Sequence, residues 1–409
     1  MTVIDYKKLK VGGTFLIFGQ VFQALLAFAV NLVLVRYIFP DEFGRFALAL
    51  AGASIVYSVI SPRINVLIIR RPEAANDDKA KDLLFSAMTL ETLAATLIIF
   101  LWLAFSGNAG PWEILLVGAV GLRHWTDLNK AFFERTMPYR QLAILETGAS
   151  TGGHLLALAM AFTGFGWVVL VVREAMVSLV NLWGLRQVGG LTIRRLKWLG
   201  VAQWQELFKE ARGVWLDGVL EGNFQRLTIL LAGLLGGEAT AGLFFQAQRL
   251  AGVPHQVLSP IAYRILANWF GRTEDAKARR KGRDKFLLFL APPLILAGVL
   301  TVPFADPVVP WLFGETWLGV ADILAAMFGM VSFWSLFEVL KAYCLSTRQS
   351  VKLFGGRIVQ YVGLLAPTAA GFAGWISADI ALGIGLSSAY FFAFLFILVL
   401  LHLEEKKES

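Results

Sequence analysis

Long apolar runs without a charged side chain are the strongest constraint on what this sequence can fold into. Residues 11–35, 286–305 and 380–401 contain no Asp, Glu, Lys, Arg or His. A helix of about 20 apolar residues crosses the hydrocarbon core of a bilayer, whereas in water it would expose a large apolar surface. Of the 409 residues, 57% are hydrophobic and only 16% are charged, against about 25% charged residues in typical soluble domains. The sequence therefore predicts an all-α, polytopic membrane protein.

The apolar segments predict twelve transmembrane helices. Each segment has about the length that a bilayer requires, although several are interrupted by single polar residues. The predicted spans lie at about 11–36, 43–68, 83–105, 112–133, 141–163, 166–185, 213–235, 240–267, 285–305, 319–344, 353–372 and 376–402.

The distribution of Lys and Arg supports this count. Basic residues precede span 1 and follow spans 2, 4, 6, 8, 10 and 12, whereas the loops after spans 3, 5, 7, 9 and 11 contain none. Because cytoplasmic loops carry the excess of Lys and Arg, both termini are expected in the cytoplasm. The net charge of +8 then reflects topology and contact with anionic lipid headgroups, and it requires no nucleic-acid partner.

Two segments related by a constant offset of 198 residues predict an internal repeat. Gly44, Ser61 and Pro62 match Gly242, Ser259 and Pro260. Two halves of six spans each have an even number of crossings, so the repeats would run parallel. The predicted organisation is an N-terminal lobe over 1–185, a basic linker over 186–212 that forms an amphipathic helix on the cytoplasmic face, and a C-terminal lobe over 213–409.

Motifs of catalytic sites are missing from the sequence. No G-x-x-x-x-G-K-[ST] phosphate-binding loop is present, the four histidines lack metal-ligand spacing, and Cys344 is the only cysteine. The predicted outer loops are too short to fold into a catalytic domain. We therefore expect a transporter rather than an enzyme, with no cofactor and no metal.

Charged residues inside the predicted spans indicate a substrate site, because ionisable groups at membrane depth usually face a wet cavity. Arg63, Arg226, Arg249, His255 and Arg264 lie on spans 2, 7 and 8 and could surround one central cavity. A guanidinium remains charged at any relevant pH and binds phosphate oxygens through two parallel hydrogen bonds. This set predicts an anionic substrate.

Carboxylates inside the spans leave an alternative open. Each arginine could instead pair with Glu91, Glu146 or Asp217 across helices. The same three acids are candidates for coupling transport to H⁺ or Na⁺.

Two other charge pairs are expected to be structural. Glu338 and Lys341 are three residues apart and can pair on one helical face. Arg173 and Glu174 are adjacent, hence about 100° apart on a helix, and are expected to pair with other helices.

The PDEFGRFALA stretch after span 1 and GEATAGLFFQAQRLAGVPHQVLSPIAYRIL after span 7 resemble the polysaccharide transporters. These are the O-antigen-type flippases of the multidrug/oligosaccharidyl-lipid/polysaccharide exporter superfamily. The resemblance implies two six-helix lobes around a central cavity, lined by spans 1, 2, 7 and 8. Some relatives have fourteen spans, and span 1 of this chain offers only Gln20, Gln23 and Asn31 as polar residues at depth.

The resemblance also implies a function. The expected substrate is an undecaprenyl-pyrophosphate-linked oligosaccharide, moved by alternating access from the inner to the outer leaflet of the bacterial inner membrane for surface polysaccharide biosynthesis. The implied partners are this substrate, membrane lipids, and polysaccharide polymerase and assembly proteins. Three rival interpretations are a cation-coupled multidrug exporter, a prenyl-phosphate sugar transferase that uses Asp217 and Glu221, and a non-transporting scaffold.

Overall fold

The computed structural model describes the backbone of residues 6–408 except Ser106, Asn108 and Met137. Side chains are described from residue 18 to residue 406, except at those three positions and at Ala75, 259–265, Ala267, Asn268 and Arg272. The side chain of Arg264, one of the predicted substrate ligands, therefore lies outside the described residues.

Within these residues the chain forms fifteen α-helices and no β-strand, which confirms the all-α prediction. A short 3₁₀ turn, Glu315–Trp317, precedes α12. The helices are α1 (Tyr6–Leu34), α2 (Pro40–Ile60), α3 (Ile64–Arg70), α4 (Glu73–Asn76), α5 (Asp78–Phe105), α6 (Pro111–Glu134), α7 (Tyr139–Ala161), α8 (Val168–Gln187), α9 (Val201–Ala251), α10 (Val253–Arg272), α11 (Ala276–Phe313), α12 (Gly319–Ala326), α13 (Phe328–Ser346), α14 (Ser350–Phe372) and α15 (Ala378–Glu408).

Seven of the described helices are long and apolar enough to cross a membrane, namely α2, α5, α8, α9, α11, α13 and α15. Their exposed faces carry large apolar side chains such as Leu97, Leu288, Phe289 and Phe392, as expected for helices solvated by lipid. The polytopic membrane class is thus confirmed. The count of twelve crossings and the two six-helix lobes remain predictions.

Three of the predicted spans are interrupted in the structure. Span 2 stops at Ile60 and resumes at Ile64, because Pro62 has no N–H to donate to the preceding turn. Span 8 is interrupted at Gly252, just before a proline in the first turn of α10, and span 10 is interrupted at Met327. Apolar periodicity continues across all three breaks; Pro62 and Pro254 mark two of them in the sequence, whereas span 10 contains no proline.

The linker is helical only in its second part, so the expected helix over 186–212 is wrong for 191–200. Asn129 on α6 holds this stretch: its amide donates to the Thr192 carbonyl at 2.7 Å, and its oxygen accepts the Thr192 N–H at 2.9 Å. Arg71 binds Glu210 on α9, and this hydrogen bond raises the pKa of the Arg71 guanidinium. A side-chain partner for the backbone thus replaces the helical hydrogen bonds.

The chain divides into two compact units. One comprises Met1–Ile38 and Phe46–Leu227, and the other comprises Phe39–Arg45 and Thr228–Ser409. The lobe boundaries drawn from the sequence stay a prediction. The first unit has an apolar core in which α3, α4, α5 and α6 pack with the linker and the start of α9, formed by Ile64, Leu67, Ile68, Ala74, Leu84, Phe85, Ala87, Met88, Leu128, Ala131, Leu199, Leu207 and Ala211.

In the second unit, the start of α2 and the part of α9 after Gly237 come into close backbone contact at Gly44 and Gly242. Gly237, with φ +76°, breaks α9, and the helix resumes at Glu238. A Cβ on Gly44 would overlap the Glu238 carbonyl, and a Cβ on Gly242 would overlap the Pro40 carbonyl. Each Cβ would also lie 2.9 Å from the backbone nitrogen of the other glycine. Residues related by the offset of 198 therefore make the same contact in both directions.

Candidate functional site

The break between α2 and α3 is the centre of the candidate site in the first unit. Arg63 occupies the left-handed region with φ 57° and ψ 47°, which is costly for a residue with a Cβ. With Pro62 in the chain and the helix interrupted, nearby backbone groups need other partners. The Trp215 indole N–H donates to the Val59 carbonyl at 3.0 Å, and the Arg63 N–H donates to Ser61 Oγ at 3.3 Å.

A buried polar network lies behind this break. Ser61 Oγ donates to Glu91 Oε1 at 2.8 Å, and His124 Nε2 lies 3.4 Å from the same oxygen. The His124 ring stacks on Tyr57, whose hydroxyl lies 2.7 Å from Thr96 Oγ1. Glu91 is 3% exposed, and its Oε2 has no hydrogen-bond partner among the described residues. A buried carboxylate with one unsatisfied oxygen is a high-energy group, of the kind that often has a functional role.

The guanidinium groups of Arg63, from the break after α2, and of Arg226, from α9, lie close together beside α9. The Arg63 guanidinium lies against the backbone of Gly218, where a Cβ would overlap it. A Cβ on Gly222, one turn further along, would lie 3.8 Å from an Arg63 terminal nitrogen and 3.9 Å from an Arg226 terminal nitrogen. These two nitrogens are therefore less than about 8 Å apart, which is within reach of a single diphosphate group.

Neither of these guanidinium groups forms an ion pair with a described carboxylate. Arg226 donates to Asn223 Oδ1 at 3.3 Å, which adds no negative charge. Glu91 is engaged by Ser61 and His124, and Glu146 binds Lys130 at 3.1 Å. Asp217 forms no ion pair with either arginine among the described residues, so the alternative that the three acids neutralise Arg63 and Arg226 finds no support in the geometry of this unit.

Arg123 is a further charged residue near this site that was not among the ligands predicted from the sequence. Arg123 lies on α6, binds Glu174 at 3.2 Å, and adds to the positive field at Arg226. Gly218, whose lack of a side chain makes room for Arg63, was likewise not among the predicted site residues. Gly218 and Gly222 are four residues apart, and this spacing indicates a close contact on one face of α9. Many packed helices have the same spacing, so it does not by itself indicate a binding site.

The two expected structural pairs have different outcomes. Lys341 Nζ lies 3.0 Å from Glu338 Oε2, as predicted. Glu174 on α8 binds Arg123 on α6, as expected for a pair between helices, whereas Arg173 binds its neighbour Glu174 at 2.8 Å, which was not expected. Long side chains bend toward each other across the 100° between adjacent positions, and Glu174 accepts from Arg123 as well.

The remaining predicted ligands belong to the second unit. Arg249 lies over the Phe245 ring with its guanidinium carbon 5.5 Å from the ring centre. The His255 ring stacks on Trp334 at 3.9 Å between ring centres and 8° between planes, and Trp334 in turn stacks on Tyr390. The structure thus brings Arg63 and Arg226 together in one unit, and a role for Arg249, His255 and Arg264 stays a prediction.

No group of three or more metal-ligating His, Cys, Asp or Glu side chains occurs among the described residues. The first unit presents two cationic side chains, Arg63 and Arg226, which have no carboxylate partner among the described residues and lie near the buried acid Glu91. Such an arrangement can bind and orient an anion, and phosphate oxygens match the guanidinium geometry.

Comparison with solved structures identifies the fold. The fold resembles that of the lipid II flippase MurJ in an inward closed conformation, with a TM-score of 0.72, 10% identity, and coverage of 94% of this chain and 87% of that chain. It also resembles the eukaryotic MATE transporter AtDTX14, with a TM-score of 0.62, 14% identity, and coverage of 97% and 96%. The chain has the all-α polytopic fold that these membrane transporters share.

The family is defined by sequence. The model of a family described as "Polysaccharide biosynthesis protein" matches residues 33–322, which is well over half of the chain, so the chain belongs to this family. The resemblance drawn from the sequence is thus confirmed. A curated relative, the succinoglycan biosynthesis transport protein ExoT of Rhizobium meliloti (strain 1021), is 23% identical over 315 residues, or 74% of this chain. The match spans 62% of the length of that relative.

Proposed function

We propose that this protein is a flippase that moves an undecaprenyl-pyrophosphate-linked oligosaccharide from the inner to the outer leaflet by alternating access, for surface polysaccharide biosynthesis. The observation that carries the proposal is the pair of guanidinium groups, Arg63 and Arg226, which have no described carboxylate partner. In a protein of this family and fold, such a pair supports binding of an anionic headgroup. Arg249, His255 and Arg264, which belong to the second unit, stay proposed substrate-binding residues.

The site chemistry favours a diphosphate over a neutral sugar. Two arginines near one point can each present a fork of N–H donors to a different phosphate group. The prenyl tail would remain in lipid while the headgroup crosses. When the cell interior is negative, outward movement of an anion is favoured by about 2.3 kcal/mol per charge per 100 mV. We place the protein in the bacterial inner membrane with both termini cytoplasmic, where such carriers are loaded.

Coupling to H⁺ or Na⁺ is part of the proposal. Among the three candidate acids, Glu146 is engaged by Lys130, and Asp217 is half-buried near the start of the apolar part of α9. Glu91 combines deep burial with an oxygen that has no described partner, so it is the best placed of the three to bind a proton or a cation.

The proposal is tested by mass spectrometry of polyprenyl-diphosphate-linked oligosaccharides from a deletion strain. We expect the complete repeat unit to accumulate on its carrier and the surface polymer to be lost. Complementation with the wild-type gene should restore both, and Arg226→Gln should not. Arg212→Gln is the matched control, because it removes the same charge from an exposed position of the same helix.

The alternative is a cation-coupled multidrug exporter, a class that includes solved structures of similar fold. Two arginines without described carboxylate partners would repel a cationic drug, which is why we favour the anionic substrate. A deletion strain with a normal lipid-linked pool, intact polymer and increased sensitivity to cationic drugs would overturn the flippase proposal.

A further inference from the structure

A chain of hydrogen bonds connects the buried acid Glu91 to the backbone of Arg63. Glu91 Oε1 accepts from Ser61 Oγ at 2.8 Å, and Ser61 Oγ in turn accepts the Arg63 N–H at 3.3 Å. A serine hydroxyl can donate once and accept at the same time, so both contacts can form together. The carboxylate on α5 fixes the direction of the Ser61 hydroxyl, and the hydroxyl lone pairs then face the Arg63 amide.

The conformation at Arg63 needs such support. Arg63 and Arg348 are the non-glycine residues with positive φ among those described, and Arg63 precedes α3 without a side-chain cap. Residues in the left-handed region persist only where their surroundings hold them there. Three hydrogen bonds that involve side chains support the break: Ser61 donates to Glu91, the Arg63 N–H donates to Ser61, and Trp215 donates to the Val59 carbonyl.

The backbone of Arg63 determines where its guanidinium lies. A change of φ and ψ at this residue swings the whole side chain, which now lies against Gly218 and near the Arg226 terminal nitrogens. We propose that Glu91 and Ser61 are positioning residues, which hold Arg63 in its left-handed conformation so that its guanidinium and that of Arg226 address one diphosphate. This inference rests on the proposed anion-binding role of Arg63 and Arg226.

The inference assigns Glu91 a task that is independent of ion coupling. His124 on α6 is the other titratable group against this carboxylate, with Nε2 at 3.4 Å from Oε1, and Ser61 is its remaining hydrogen-bond partner. Ser61 is oriented by Oε1 alone, whereas Oε2 has no described partner, so a proton or cation at Oε2 would leave the bond to Ser61 in place.

The test measures binding of farnesyl diphosphate, a soluble prenyl diphosphate, to the purified full-length protein by calorimetry. Ser61→Ala and Glu91→Ala should each weaken binding several-fold to about tenfold. Ser61→Thr, which keeps the hydroxyl, should rescue most of the loss. Ser178→Ala is the matched control, since Ser178 is a buried serine that donates to the Ala119 carbonyl in the same unit.

A double-mutant cycle separates positioning from general damage. In an Arg63→Gln background, Ser61→Ala should cause no further loss of affinity, because the residue that it positions is already gone. Equal losses in both backgrounds would overturn the inference, and so would a Ser61→Ala variant with wild-type affinity.

Hydrogen exchange gives a second readout that does not depend on the ligand. Glu91→Ala should speed amide exchange in a peptide that covers residues 61–67, whereas Ser178→Ala should leave it unchanged. Unchanged exchange in Glu91→Ala would contradict the inference.

The results that would contradict the proposed anion site differ from those that would contradict the positioning role alone. Arg226→Gln should weaken farnesyl diphosphate binding whatever the role of Ser61. If Arg226→Gln binds as the wild type does, the anion site itself is wrong. If Arg226→Gln loses affinity and Ser61→Ala does not, only the positioning role is wrong.

Discussion

Because Gly218 has no side chain, the Arg63 guanidinium can lie against the backbone of α9 at this position. Any side chain at this position of α9 would occupy the volume that the guanidinium fills. The groups in conflict are the flexible end of an arginine and a single carbon, so the arginine can move aside at little cost in stability. Function and stability should therefore respond differently to substitution here.

At the residue scale, we predict that Gly218→Ala weakens farnesyl diphosphate binding by about tenfold, which corresponds to about 1.4 kcal/mol. Its unfolding free energy should not fall, because alanine is the better helix former by about 1 kcal/mol. Gly213→Ala is the control, since a Cβ at Gly213 on the same helix meets no neighbour within 4 Å. Equal affinities of the two variants would contradict the placement of Arg63. Calorimetry and thermal unfolding in detergent supply the two measurements.

At the element scale, close backbone approach and the breaks in helices shape the fold. Glycines at the helix starts in the second unit let two backbones meet without side chains between them, as Gly44 and Gly242 do. Small residues allow this kind of packing in membrane proteins, where apolar burial against lipid contributes little. Such a contact cannot absorb a methyl group without a shift of both helices.

We predict that Gly44→Ala and Gly242→Ala each lower the unfolding free energy by about 1–3 kcal/mol. The double variant should lose less than the sum, because one displacement of the helices relieves both overlaps. Gly52→Ala on α2, where a Cβ meets nothing within 4 Å, should be neutral or stabilising. Gly44→Ala as stable as Gly52→Ala in urea unfolding would refute the reciprocal contact.

The linker gives a second prediction at this scale. Asn129 is fully buried and satisfies both backbone groups of Thr192. Asn129→Ala leaves these groups without their partner, at a cost of about 1–3 kcal/mol for each buried group. We expect a lower melting temperature and faster proteolysis within 191–200, measured by limited digestion. Gln141→Ala, at an exposed position of α7, should digest like the wild type.

At the scale of the whole molecule, the alternation of basic and non-basic loops predicts which loops share a side of the membrane. The chain is convenient for testing this, because its single cysteine, Cys344, is buried. Four exposed positions sample the predicted loops and linkers: Phe165 and Trp375 on the predicted outer side, and Lys209 and Lys281 on the inner side.

We predict that Phe165→Cys and Trp375→Cys react with a membrane-impermeant maleimide on intact cells. Lys209→Cys and Lys281→Cys should react only after permeabilisation, because the positive-inside bias retains these regions in the cytoplasm. The unsubstituted chain is the control for background labelling through Cys344. Labelling of Lys209→Cys on intact cells would overturn the twelve-span topology with cytoplasmic termini.

Much of the architecture was predictable from the sequence because its causes are local. Apolar length determines which segments form membrane helices, and the proline after Ser61 weakens the helix at that point whatever surrounds it. The linker was less predictable, since Asn129 and Thr192 are distant in sequence and together hold a segment that is not helical. The bond between the adjacent Arg173 and Glu174 was not predicted, because side-chain flexibility outweighed their angular separation.

The sequence by itself therefore determined the membrane class, the family, most helices and the excess of arginine within the predicted spans. Only the tertiary structure decided which of these arginines lie near each other, because Arg63 and Arg226 approach through a helix break and a glycine that belong to different elements. It also decided which acids have hydrogen-bond or ion-pair partners, since Glu91 contacts Ser61 at the break after α2 and His124 on α6, and Glu146 on α7 contacts Lys130 on α6. The sequence places charged residues within the predicted spans, whereas packing in three dimensions decides whether each of them has a partner of opposite charge.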